Sequence, residues 1–360
     1  MATQRPGDDE CQDNPEKNRR EKELILLVRE KARPYLNTPN VTSVGVGYKI
    51  KNGNETDVLS IQFTVARKLS LEQLCQMGLK PLPDFFIAKD GTVVPTDVVE
   101  RSYGPEHQVI DAPATARPEA GRSTTSQQRR TRRDPIRPGI SVSHVDLGFG
   151  TIGAIVYDAL NGTPYILSNW HVLRGPTGQL NDQTVQPSAH DDGNVISNIV
   201  GRLIRSHLGE DGDCAIASIV GRGFDPSVLG RDIVPRRVGE ASIGDRVVKS
   251  GRKTGVTFGV VNRVGVFTNM DYGPGFNNVQ IGGFEIRPNP DKPAQFGEIS
   301  ESGDSGSVWM VDADGANRDI VLGLHFAGEL DPNPALEHAL ACNFQQILDA
   351  LQISLVNPLT

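Results

Sequence analysis

Ser305 stands in ESGDSGSVWM (301–310), between Gly303-Asp304 and Gly306. A serine hydroxyl becomes a nucleophile when a neighbouring base takes its proton and a third group orients that base. Glycines on either side let the backbone turn so that successive N–H groups aim at one point. The N–H groups of Gly303 and Ser305 are therefore candidates to receive an oxyanion, an effect worth about 3 kcal/mol per donor. His171, in YILSNWHVL, supplies a base at the end of an apolar run expected to be a strand. Asp213, the first residue of DCAIASIV, supplies an orienting carboxylate. Asp211 competes for that role, but Asp213 directly adjoins the apolar run and is expected to be the buried one. Taken singly, the three have bland alternatives: a tight polar turn, a structural histidine and an acidic turn residue. In the order His, Asp, Ser within one strand-rich region, they point together to acyl transfer.

Such a trio needs a scaffold that brings distant segments together. From residue 139 onward, short Val/Ile-rich runs alternate with Gly, Pro, Asn and Asp turns: 150–158, 163–172, 195–205, 213–220, 244–250, 256–267, 278–286, 306–311 and 319–328. Asn161-Gly162 marks a hairpin between the first two, and NFQQILDALQISL (343–355) has the period of a closing amphipathic helix. The pattern predicts an all-β pair of barrels over 139–360 with a C-terminal helix. Upstream, residues 1–16 are polar and expected to be a disordered tail. Residues 17–112 predict a small α+β domain. It would comprise an amphipathic helix over 15–36, kinked at Pro34 and ended by Pro39. Next would come two strands (41–50 and 57–68) around an Asn52-Gly53 turn, a short helix at 70–77 and a strand at 93–100. Residues 113–138 are rich in Pro, Ser, Thr, Gln and Arg and predict a flexible linker. Its Arg129, Arg130, Arg132 and Arg133 are expected to be a solvated basic tether.

Composition narrows the classes. With 38 glycines and 24 prolines in 360 residues, turns are frequent enough for a β-rich chain rather than a helical bundle. The formal net charge of -7 argues against nucleic acid as the principal partner. Cysteines at 11, 75, 214 and 342 show no metal-ligand spacing, and their scatter suits a reducing compartment. The polar N-terminus lacks a signal-peptide pattern and no apolar run reaches membrane-spanning length, so a cytoplasmic protein without membrane contact is expected. His190-Asp191-Asp192 is expected to be a solvated loop, and the predicted chemistry requires no metal or cofactor.

The segments SNWHV, DCAIASI and SGDSGSVW resemble the histidine, aspartate and nucleophile segments of the trypsin-like (chymotrypsin-fold) serine proteases, and KSGRKTGVTFGVV (249–261) is similar to the second-barrel opening of bacterial members. The resemblance covers roughly 140–355 and implies two six-stranded barrels with His171, Asp213 and Ser305 as the triad in the cleft between them. Including RPGISVSH and the GVGYKI unit, nearly the whole chain resembles bacterial trypsin-like proteins with an extra N-terminal domain and the plant narrow-leaf proteases. That wider likeness implies homo-oligomers with contacts from the N-terminal domain. The implied activity is endopeptidase action on protein or peptide substrates; the alternative is a catalytically silent barrel serving as a binding or scaffold protein. The resemblance also implies a specificity pocket at Ile299, Ser300 and His325. Ile299 falls where trypsin has an aspartate, which argues against cleavage after Lys or Arg. A hydroxyl and an imidazole at the other two positions suit a Glu or Gln side chain on the acyl side of the cut, since both can satisfy its polar oxygen. The competing reading of His325 is a core histidine bonded to a carbonyl.

Overall fold

The computed structural model describes residues 15–105, 127–330 and 337–360. Nearly all of the expected tail, and the expected linker through residue 126, lie outside the described residues.

The N-terminal unit opens with α1 (Pro15–Leu27), whose first residue is a proline, tolerated there because that N–H has no helical partner. The helix then widens into a π turn at Val28–Ala32 and tightens into a 3-10 turn at Arg33–Asn37. The irregularity begins earlier than the expected kink at Pro34. Proline lacks an N–H and its ring presses on the carbonyl four residues back, so the disturbance falls on the preceding turn. Leu24, Leu27, Val28, Ala32 and Leu36 are buried on one side. Strands β1 (Val41–Lys51) and β2 (Asn54–Val65) pair antiparallel. Their turn has φ 54° at Asn52 and 78° at Gly53, the left-handed pair that a two-residue hairpin favours. Helix α2 (Leu71–Gln76) is capped reciprocally by Ser70 and Gln73. It is followed by β3 (Phe85–Ile87), β4 (Val93–Glu100), which runs parallel to β2, and β5 (Tyr103–Pro105).

The first barrel sheet contains β6 (Ser141–His144), β7 (Gly150–Thr151), β8 (Ala154–Asp158), β9 (Pro164–Ser168), β10 (Gln183–Val185), β11 (Ile199–Gly209) and β12 (Gly212–Ser218). Two short helical turns interrupt it, α3 (Trp170–Leu173) and α4 (Val195–Asn198). The predicted strand at 163–172 therefore ends at Ser168. The second sheet starts with β13 (Arg237–Val238), β14 (Arg246–Gly251), β15 (Gly255–Met270), β16 (Val279–Pro288), β17 (Val308–Val311), β18 (Ile320–Glu329) and β19 (Ala339–Asn343). The order β14-β17-β18-β19-β16-β15, with β14 paired back to β15, closes a six-stranded ring. The chain ends with α5 (Phe344–Leu351) and β20 (Ile353–Ser354), which pairs with β8. Gln352 takes a left-handed φ of 53° and stops the helix short of the predicted 355. The architecture is thus the expected all-β double barrel with a C-terminal helix.

No sequence pattern marks how the N-terminal unit is joined to the barrels. Strand β1 pairs antiparallel with β15, so the N-terminal strands continue the second barrel's sheet. Where β1, β5, β15 and β16 meet, Glu285 is fully buried. Its carboxylate accepts bonds from Arg101 (2.7 Å), Arg263 (2.9 Å), Asn262 (2.8 Å) and the Tyr103 hydroxyl. Burial alone would raise its pKa; the Arg101 and Arg263 guanidinium groups outweigh burial and hold it far below the usual carboxylate range. Arg129 is 4% exposed, and its guanidinium donates to Gly139 O and Ser250 Oγ (both 2.8 Å) and to Leu229 O. These acceptors offset the desolvation that would keep an unpaired arginine in water, so Arg129 is a structural bolt and not part of a solvated tether.

Candidate active site

His171 lies in α3, immediately after β9, and is 6% exposed. Asn169 fixes the entry to that turn: its side-chain N–H donates to Asp213 O (2.7 Å), and its carbonyl accepts from Leu173 N. Asp213 is fully buried in β12, whereas Asp211 is exposed. The Asp213 carboxylate engages His171 twice, at ring Nδ1 (2.5 Å) and at the backbone N–H (3.2 Å). This double contact fixes both the position and the rotation of the imidazole, leaving Nε2 as the edge turned away from the acid. The Tyr272 hydroxyl also donates to Asp213 Oδ2 (2.8 Å). Burial first, then the adjacent Asp213 carboxylate, push the Tyr272 phenol well above its ordinary pKa, so it remains a donor. The Asp213 N–H lies 3.4 Å from Cys342 Sγ, a thiol raised by burial and therefore kept neutral.

Ser305 is fully buried in a loop tied to both barrels. Its carbonyl accepts from Thr151 N (2.8 Å), and Thr151 Oγ1 donates to Gly303 O (2.8 Å). On the other side, Gly306 N donates to His325 O (2.9 Å) and His325 N to Ser307 O (2.8 Å). Gly306 has φ 92°, and a Cβ there would sit 2.1 Å from Ser168 Oγ and 2.4 Å from Thr151 O, so only glycine fits. Gly303 is also left-handed, at φ 105°. A Cβ on Gly150 would lie 2.5 Å from Val172 and 3.1 Å from Ser305 O, so the His171 turn and the Ser305 loop converge on the same strand.

Asp304 anchors the loop from below. One carboxylate oxygen accepts from Lys249 Nζ (2.8 Å) and Thr254 Oγ1 (2.5 Å), the other from Lys253 N (2.7 Å) and Thr254 N (3.1 Å). Both Lys249 and Asp304 side chains are wholly buried. Burial would raise the Asp304 pKa, but the Lys249 ammonium and these hydrogen bonds hold it down to about 2. Arg252 N donates to Thr151 Oγ1 (2.9 Å), and its guanidinium lies 4.3 Å over the Phe149 ring while pairing with Asp191. Asp191 therefore departs from the solvated-loop expectation for 190–192. Its side chain is 4% exposed, and it also accepts from Ser141 and Ser188.

The three residues expected to line the specificity pocket are dispersed in role. Ile299 is fully buried in an apolar cluster that includes Trp309, and its carbonyl accepts from Thr257 Oγ1. The His325 ring is fully buried and meets Trp309 edge-on, with centroids 6.3 Å apart. Ser300 faces Glu337, whose Oε1 accepts from Ile299 N and Ser300 N (both 3.2 Å) and lies 3.5 Å from Ser300 Oγ. Glu337, Tyr272, Lys249 and Thr151 were not singled out in the sequence. No local pattern marks them, because each contact joins segments far apart in the chain.

No family model matches the chain, and no curated protein does. Among solved structures, the chain is similar to Thermobifida fusca Protease A. The identity is 17%, the match covers 62% of this chain and 99% of that one, and the TM-score is 0.45. A Cellulomonas bogoriensis chymotrypsin matches at 15% identity, 62% and 99% coverage and a TM-score of 0.44. A glutamic acid specific serine protease matches at 18% identity, 61% and 98% coverage and a TM-score of 0.44.

Proposed function

We propose that the protein is a serine endopeptidase acting through an acyl-enzyme on Ser305. What supports this most is the double engagement of His171 by the buried Asp213 carboxylate, at ring Nδ1 and backbone N. In the proposed cycle, Ser305 Oγ attacks the peptide carbonyl and forms the C–O bond while His171 Nε2 takes the hydroxyl proton. The tetrahedral oxyanion is received by the N–H groups of Gly303 and Ser305. Collapse expels the amine, which takes the proton back from His171; water then attacks the ester by the same route in reverse order. Asp213 keeps the proton on Nδ1 and stabilises the imidazolium, and Tyr272 and the His171 backbone N–H spread its charge. A fluorophosphonate probe tests the proposal. It should modify wild-type protein at Ser305, located by peptide mass, and a protein left unmodified would end the endopeptidase reading in favour of a silent barrel.

Tyr272→Phe removes one donor to Asp213 while keeping the ring that packs against Trp170. Losing a hydrogen bond to a charged group is expected to lower kcat/KM about tenfold without changing the fold. Steady-state kinetics with a circular-dichroism control checks it; unchanged kinetics would confine Tyr272 to packing.

The acyl-side preference proposed is for Glu or Gln, and Glu337 refines it. A carboxylate against Ser300 meets an incoming Glu with like charge but can accept from a Gln amide. Peptides with Gln on the acyl side should therefore be cut faster than those with Glu at neutral pH. Glu337→Gln should shift that ratio toward Glu by about tenfold. A paired-substrate competition measures this. Preference for Lys, Arg or large aromatics would remove the Glu/Gln proposal.

A further inference from the structure

An extended peptide attacked by Ser305 must lie along the nearest strand edge, because backbone pairing is how a cleft holds extended chain without regard to sequence. That edge belongs to β18. One side of β18 pairs with β17 as far as Leu324, then exchanges bonds with the nucleophile loop at His325. Its opposite side is occupied by β19, which pairs through Ala327 and Gly328. Beyond His325, the edge facing the loop is taken by β5: Pro105 opposes Ala327, Gly104 opposes Gly328 and Tyr103 opposes Glu329.

The direction of this pairing matters. From Tyr103 to Pro105, β5 moves along β18 from Glu329 toward His325, and so toward Ser305. The acyl portion of a substrate has the same polarity, since it runs from N to C toward the carbonyl under attack. The strand is also firmly held. Arg101 pairs with Glu285 (2.7 Å) and Glu329 (3.6 Å), Tyr103 donates to Glu285, and Leu330 N donates to Ser102 O (3.2 Å). An occupant supplied by the same chain competes at high effective concentration.

Resting on the assignment of Ser305 as nucleophile, we infer that β5 is an internal pseudo-substrate: Tyr103–Pro105 occupies the acyl-side edge of the cleft, and extended peptides must displace it to be cut. Small acylating reagents need only Ser305 and are indifferent to that edge. Displacement makes the binding-competent state a minority, which lowers apparent affinity by its fraction.

A disulfide lock tests the inference in the full chain. Gly104→Cys with Gly328→Cys puts two thiols on directly opposed residues. In the oxidised form, cleavage of an extended peptide should fall at least about tenfold relative to the reduced form, while fluorophosphonate labelling of Ser305 proceeds equally in both. Gly104→Cys alone, oxidised identically, should show no such fall. Gly104→Pro, which removes a strand N–H, should raise kcat/KM for the peptide several-fold with labelling unchanged. Equal peptide cleavage by the oxidised and reduced lock, or no gain in Gly104→Pro, would overturn the inference while leaving the nucleophile assignment intact. Failure of unmodified protein to label at Ser305 would overturn both.

Discussion

Ser305→Ala and His171→Ala are each expected to lower kcat for peptide hydrolysis by about a millionfold, and the double variant by no more than either alone. In the proposed mechanism the two side chains act as one unit: without the base the hydroxyl is a poor nucleophile, and without the hydroxyl the base has nothing to activate. Asp213→Asn separates a third contribution. An amide in that buried position, still facing Tyr272 and the His171 backbone N–H, favours the imidazole tautomer with its proton on the wrong nitrogen. A fall in kcat of about ten-thousandfold is expected with the fold retained. Rates measured with one peptide across the four variants check all of this. Multiplicative losses for Ser305 and His171 would mean they do not act in a common step.

His171, Asp213 and Ser305 stood out as candidates in the sequence because each sits near a strand boundary, where composition changes sharply; of their mutual contacts the structure shows His171 with Asp213. His171 follows the apolar run of β9, Asp213 is the second residue of β12 and Ser305 precedes β17. Choosing between Asp211 and Asp213 was possible because burial follows adjacency to the apolar run. What supports these residues was not legible. Tyr272 reaches Asp213 from the end of β15, Thr151 clamps Gly303 from the other barrel, and Glu337 reaches Ser300 from beyond β18. Such contacts depend on how two closed sheets are apposed, and local periodicity carries no record of that.

The same distinction runs through the fold. The Asn52-Gly53 hairpin and the short helix at 70–77 were readable because a few adjacent residues determine each. Pairing of β1 with β15, and of β5 with β18, joins segments more than 200 residues apart and left no local trace. Arg129 shows the limit of composition. A run of arginines among Ser, Thr and Gln reads as solvated, yet one guanidinium finds two carbonyls and a hydroxyl inside the protein.

Lys249→Met is the second substitution expected to have a large effect. It leaves Asp304 fully buried beside an apolar side chain, and removing one partner of a buried ion pair costs about 3–5 kcal/mol. Because Asp304 adjoins Ser305 and accepts from Lys253 N, Thr254 N and Glu301 N, part of that loss should appear as disorder of the Ser305 loop and slower fluorophosphonate labelling. The pH dependence distinguishes this from a simple packing defect. In wild type, Asp304 is held down to about 2, below its ordinary 3.8. Its ion-pair stability, on the order of 2 kcal/mol, is therefore present above pH 3.8 and lost as pH falls through about 2. Without Lys249, burial is opposed only by the Thr254 hydroxyl and the backbone donors, so the folded-state pKa rises and the variant should lose less stability than wild type as pH falls from 3.8 toward 2. Denaturant unfolding at a series of pH values reads the two slopes directly. Lys249→Met with Asp304→Asn should recover most of the lost stability, since no charge is then left buried without its counterion. Parallel pH profiles for Lys249→Met and wild type would show that the ammonium acts by filling space and not by charge.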